Sequence, residues 1–159
     1  MATYTSNQVS SALVRGNWRG ADFTIYGTVA AGSAALGDIY QLVRVPNGYS
    51  VESVILDTDQ LDSNATPTLT LEVGDSAVPG RFITGATTGH AGGVQTSNVA
   101  GATGYIYPLG SSETGQMAGG NAGSNIVQVQ VTAAAATFKA GNVRVAVRCY
   151  EDPQLGGFT

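Results

Sequence analysis

Residues 39–56 read IYQLVRVPNGYSVESVIL. Both halves of this stretch are rich in β-branched and aromatic residues, which suit a pleated, half-buried surface. Ile39, Val43 and Val45 fall at period-two spacing with Gln41 between them, the pattern of a strand with one buried face. Pro46, Asn47 and Gly48 separate the halves, and Asn-Gly suits the positive φ angles of a tight turn. The stretch therefore predicts two strands, at 38–45 and 49–58, joined as a hairpin.

The same alternation extends in both directions. At 23–29, Phe23, Ile25 and Val29 alternate with Thr24, Tyr26 and Thr28, interrupted by Gly27. At 66–74, Leu69, Leu71 and Val73 alternate with Thr68, Thr70 and Glu72. Near the end, Val127, Val129 and Val131 form one stripe and Val143, Val145, Val147 and Cys149 another. The intervening AAAATFKAG is read as a hairpin loop joining these last two strands. A Gly-rich section spans 75–125, with short β segments expected around 81–84 and 104–108. No stretch carries helical i, i+3, i+4 spacing for more than about eight residues. Many short strands between turn signals predict an all-β protein, an antiparallel β-sandwich or jelly roll. Its expected parts are a polar N-terminal arm at 1–22 and a single sandwich domain at 23–159.

Charge points to assembly. Only 11% of the residues are charged, against about 25% in ordinary soluble domains. The 22 glycines, with abundant alanine, serine and threonine, give a surface of small neutral groups that is cheap to desolvate against a partner. Protein–protein interfaces are likewise depleted in lysine and acidic residues. A formal net charge of −4 and the lack of any basic cluster speak against a nucleic-acid partner. With one cysteine there is no intrachain disulfide, which fits synthesis in a cytosol. The N-terminus lacks the charged and apolar regions of a signal peptide, and no apolar run is long enough to span a membrane.

The chemistry-bearing residues do not assemble into a catalytic or metal-binding pattern. No G-x-S-x-G, P-loop or H-E-x-x-H occurs. His90 lies in the flexible run TTGHAGG, a poor support for a general base, and is expected as an exposed loop histidine. The run Asp57–Asp62 superficially suggests a calcium loop, but it lacks the sixth-position glycine and twelfth-position glutamate of an EF-hand. Cys149 continues a valine stripe and is read as a small buried hydrophobe. No enzyme activity, cofactor, metal or small-molecule substrate is expected. Arg15, Trp18 and Arg19 form the most basic spot in the chain, and Trp and Arg are the commonest interface anchors. They are the first candidate contact residues, with Arg81 and Phe82 as a second pair.

Three segments together resemble small structural proteins of tailed bacteriophages: GDIYQLVRVPNGYSVESVILDTDQL at 37–61, TPTLTLEVGDSAVPGRFITGAT at 66–87 and IVQVQVTAAAATFKAGNVRVAVRCY at 126–150. The shared features are Val45, Pro46 and Gly48, then Leu71, Gly74 and Asp75, then Arg81, Phe82, Ile83, Gly85 and Ala86. The resemblance covers roughly 37–90 and 126–150 and implies a head-associated protein, a capsid decoration (cement) subunit located in the virion and made in the host cytoplasm. Its implied partners are the major capsid protein and copies of itself in a homo-oligomer. The competing expectation is a tail or fibre component that binds a host-surface glycan through aromatics such as Tyr105 and Tyr107.

Overall fold

The computed structural model of the chain describes residues 1–10, 23–46, 49–100, 105–106, 114–116 and 122–151. The protein is an all-β sandwich of two sheets. The first has the order β1-β3-β11-β5-β6: β1 is Thr3–Thr5, β3 is Ile39–Arg44, β5 is Thr70–Gly74, β6 is Ile83–Ala86 and β11 is Ile126–Ala133. The second has the order β2-β12-β4-β7, with β8 also pairing β4. Here β2 is Phe23–Ala31, β4 is Tyr49–Thr58, β7 is Gly93–Thr96, β8 is Tyr105–Ile106 and β12 is Gly141–Glu151. A small ladder joins β9 (Thr114–Gln116) to β10 (Ala122–Ser124). All pairs are antiparallel except β1 with β3.

Neither expected hairpin forms. β3 lies in the first sheet and β4 in the second, so the Pro46 turn carries the chain across the sandwich. The alanine-rich connection between β11 and β12 crosses back in the same way. Both strands on either side of such a crossing point apolar residues inward, so their alternation is indistinguishable from that of a hairpin. In the Gly-rich section, β6 and β8 lie near the two expected segments, while β7, β9 and β10 have no apolar alternation to announce them.

Two bulges correct the expected faces. On β3 the inward residues are Tyr40 and Leu42, then Val43 and Val45, all fully buried, while Ile39 is only half-buried. The register against β11 slips here: Val127 faces Val43, but Gln128 faces Gln41. Leu42 is the extra residue, and an odd insertion switches the phase of a period-two pattern. On β4, Arg148 of β12 faces Ser53 but Cys149 faces Val51. Glu52 is bulged, so Val51 and then Val54 and Leu56 all point inward.

The Leu42 bulge also explains Gly27. A Cβ built on Gly27 would lie 1.9 Å from the Leu42 carbonyl oxygen. Only a residue without a side chain lets β2 and β3 approach this closely at the converging side of the sandwich. The same carbonyl accepts a hydrogen bond from Ser6 Oγ (2.6 Å), which in turn accepts one from Val9 N (3.3 Å) at the start of the helical turn Asn7–Ser10.

Residues 1–10, within the expected arm, are therefore docked on the body. Tyr4 stacks on Tyr40 with ring centroids 5.3 Å apart, and Val9 is 4% exposed. Asp38 holds this corner by accepting hydrogen bonds from Ala2 N (2.6 Å), Ala35 N (3.0 Å) and the Ser33 hydroxyl. Burial pushes its carboxyl up, but these donors outweigh it and hold the group below its usual range.

Between the sheets lies one apolar core. The first sheet contributes Tyr40, Leu42, Leu71, Val73, Ile83, Val127, Val129 and Val131; the second contributes Val51, Val54, Leu56, Val143, Val145, Val147 and Cys149. Cys149 is fully buried, and that burial pushes its thiol up to about 12.

Candidate interaction surface

Three of the described carboxylates, Asp38, Asp62 and Asp75, are buried, and the charged pairs at the surface are closed within the chain. Asp62 is fully buried. Its Oδ1 accepts hydrogen bonds from Asn64 N (3.2 Å) and Thr137 N (3.0 Å). Its Oδ2 accepts from Thr68 N (2.8 Å), Leu69 N (3.3 Å) and Ala136 N (2.9 Å). One carboxylate thus ties the connection before β5 to the β11–β12 crossing. Burial alone would raise its pKa, but the amides of Ala136, Thr137, Thr68 and Asn64 prevail and hold it well below the usual carboxylate range. Asp75, also fully buried, receives Ala77 N, Val78 N and Arg81 Nε at 2.8–2.9 Å. Asp57 and Asp59 flank Arg144, at 3.2 Å from Nη1 and 2.9 Å from Nη2. The carboxylates of the run Asp57–Asp62 are therefore committed to backbone amides, the Asn142 side-chain amide and one guanidinium.

His90 is half-buried, not an exposed loop residue. It ends the 3₁₀ turn Thr88–His90, and its Nε2 lies 2.7 Å from the Leu69 carbonyl. The turn packs closely because Gly89 leaves room for Leu69; an added Cβ would lie 2.5 Å from Leu69 Cδ2.

Of the expected contact residues, Arg15, Trp18 and Arg19 lie outside the described residues, as does Tyr107. Arg81 is held against Asp75, and its side chain is 16% exposed. Phe82 is fully buried in the core, where its carbonyl accepts from Asn98 N (3.0 Å); it supports the fold from within. Tyr105 sits on β8 opposite Val51.

What the structure brings to the surface instead is an apolar row across the second sheet. Tyr26 of β2 and Ile55 of β4 both stand opposite Ala146 of the intervening β12, and Val94 of β7 pairs with Asp57, two residues beyond Ile55. Tyr26 is 71% exposed, Val94 65% and Ile55 36%. Together they border a hollow of about 320 Å³, with Ala146 between the larger side chains. Arg144 with its two aspartates and Arg148 with Glu52 (2.7 Å) lie on the same face. The outward position of Tyr26 is visible in the alternation of β2. That of Ile55 depends on the Glu52 bulge, and the row itself depends on strand order.

Over nearly its whole length the chain is similar to a protein in the capsid asymmetric unit of cyanophage Pam1. The two are 32% identical, with a TM-score of 0.66, and the match covers 89% of this chain and 96% of that one. The chain belongs to a family of bacteriophage capsid proteins. Its fold is shared by a chain from the capsid of Ralstonia phage GP4, at 22% identity and a TM-score of 0.75 over 95% and 99% of the two chains. A chain from the acid-stable capsid of Helicobacter pylori bacteriophage KHP30 is more distant, at 18% identity and a TM-score of 0.50 over 82% and 91%. No family model matches the sequence, and no curated protein does. The protein is thus a structural component of a phage virion.

Proposed function

We propose that this capsid protein is a decoration (cement) subunit, which binds the assembled head through the major capsid protein and through copies of itself. The observation that carries this reading is a rigid, charge-poor sandwich whose connections are locked by buried aspartates, in a chain matched almost end to end by one from a phage capsid. A subunit that bridges neighbouring shell proteins recognises only the assembled state, so it stabilises that state by mass action. Sheet faces held by a well-packed core suit the task, because little ordering free energy is lost on docking. Trp18, with Arg15 and Arg19, is proposed as the anchor that reaches a neighbour.

The test is co-sedimentation of purified protein with mature heads from which the native copies have been stripped, alongside unassembled shell protein. Saturable binding to heads, little binding to the unassembled protein and a raised head-disruption temperature are the expected results. Equal binding to both forms, or none to heads, would sink the reading. Because residues 1–10 are part of the body, the anchor is tested by Trp18→Ala rather than by deleting the N-terminus. A central anchor loses on the order of 2 kcal/mol of head binding with the thermal midpoint unchanged; unaltered binding removes Trp18 from the interface.

A further inference from the structure

We infer that Asn98 closes the β6 edge of the first sheet against strand addition, so that copies of this chain do not join edge to edge before they are built into a particle. The inference goes beyond the decoration reading and applies to any capsid subunit that stays unassembled until it docks.

The first support is the bonding. β6 ends the first sheet, with β5 on one side only. A free edge strand offers its N–H and C=O groups to any extended chain. Here those groups are taken. Asn98 Oδ1 accepts a hydrogen bond from Thr84 N (3.0 Å), and Asn98 Nδ2 donates to the Thr84 carbonyl (3.0 Å). The exchange of both bonds is how facing residues pair in an antiparallel ladder, so one carboxamide stands in for the backbone of a further strand. Two residues back, the Phe82 carbonyl accepts from Asn98 N (3.0 Å) and Val99 N (3.3 Å). Edge groups recur at every second residue of a strand, so Asn98 and Val99 hold two successive positions at which a new strand would bond. The segment that carries the cap is itself fixed to the second sheet, where Ser97 N donates to the Val54 carbonyl (2.8 Å).

The second support is what this edge would otherwise present. Phe82, Ile83, Thr84, Gly85 and Ala86 carry no charge, and an uncharged, β-forming segment on an open edge is a template for aggregation. Asn98 and Thr84 are both exposed, so water could satisfy Thr84 as well, and the fold gains little from the carboxamide. What the carboxamide does, and water does not, is hold the edge against another strand. The strand is also deformed at this point. Leu71 pairs with Ala86 and Val73 with Ile83, which leaves Thr84 and Gly85 together against Glu72, with Gly85 at a φ of 65°. A bulge is a further device by which natural sheets end. The opposite edge of the sheet, β1, is only three residues long.

The test compares full-length Asn98→Ala and Asn98→Asp proteins with wild type by sedimentation velocity over rising concentration, and by amide hydrogen exchange at Thr84. Asn98→Ala frees the edge. It is expected to form open-ended assemblies, with at least tenfold more material beyond the wild-type species at the highest concentration. Asn98→Asp loses the donor to the Thr84 carbonyl and sets a carboxylate against it, so it costs the fold at least as much. Its charge at the edge nevertheless repels an added strand, and it is expected to sediment like wild type. The Thr84 amide should exchange fast in dilute Asn98→Ala and slowly once assemblies form. Asn98→Ala that sediments like wild type would overturn the inference. So would Asn98→Asp that assembles as readily as Asn98→Ala, because association would then follow lost stability rather than an open edge. A Thr84 amide left unprotected within the assemblies would overturn it too. If Asn98→Ala does not fold, Asn98→Ser, whose single hydroxyl cannot bond both Thr84 groups, enters the same comparison under the same outcomes. Head binding is scored separately: its failure would sink the decoration reading and leave the closed edge standing.

Discussion

The two outer faces of the sandwich are built on the same principle and end up chemically unlike. Along β3 and β11 the outward positions hold a half-buried Ile39 opposite Gln130, and Gln41 opposite Gln128, so this face is mainly polar. Along β2, β12 and β4 the equivalent positions hold Tyr26, Ala146 and Ile55, bordered by paired charges. The inward faces behind them are equally apolar. Stability demands nothing of this difference, because core burial is complete without it. The row of Tyr26, Ile55 and Val94 is instead left in water by the lone subunit, the kind of exposed apolar feature that marks a candidate contact surface.

Variants that disturb what the sheets share should damage both faces together. Asp62→Ala is expected to have the largest effect. It leaves five backbone amides around the site without their carboxylate, and unsatisfied buried donors are expensive. A loss of about 3 kcal/mol in denaturant unfolding is expected; a loss below about 1 kcal/mol would mean that water replaces the carboxylate. Gly27→Ala comes next, with about 2 kcal/mol or more lost to the collision with the Leu42 carbonyl. Unchanged stability there would show that the sheets have room to part.

Acid sharpens the first of these. The folded Asp62 carboxyl lies below its ordinary value, so its stabilisation is fully present above the unfolded carboxylate pKa of about 3.9. It is lost progressively as pH falls below that value towards the folded one. The difference in thermal midpoint between wild type and Asp62→Asn should therefore be constant from neutral pH to about 5 and shrink below about 4. A difference that grows on acidification would reverse the sign of the linkage.

Tyr26→Asp separates the faces. It should change unfolding free energy by less than about 0.5 kcal/mol, as exposed substitutions usually do, while weakening binding to heads. Loss of stability as large as that of Gly27→Ala would make Tyr26 part of the fold rather than of a contact. The smallest expected signal is from Cys149, which should react with thiol reagents only on unfolding, since it is buried and its thiol is pushed up to about 12. Rapid labelling of the native protein would show that β12 opens.

Strand positions were legible because a buried stripe of Val143, Val145, Val147 and Cys149 has no reading other than a strand with one face inside. Partners were not. Whether the chain turns back beside itself at Pro46 or crosses to the other sheet leaves the alternation of β3 and β4 unchanged. The bulges at Leu42 and Glu52 leave a fainter trace: Leu42 and Val43 are neighbours that are both buried, which a regular one-sided strand does not allow. The apolar row was least legible of all. Tyr26, Ala146 and Ile55 come from three distant segments and meet only through strand order.

The crossings also set the order in which the chain can find its fold. β2 pairs along its full length with β12, residue 31 opposite residue 141 and residue 23 opposite residue 149. During synthesis β2 therefore waits unpaired while every intervening strand is made, and the second sheet has no centre until β12 leaves the ribosome. Pairings of such long sequence separation are closed late and slowly, on the millisecond-to-second scale typical of β-sandwiches. Until then the nascent chain presents an unpartnered strand of nine residues, a template for mispairing. Its outward Thr24, Tyr26 and Thr28 and its central Gly27 make it a poorer template than an all-aliphatic strand.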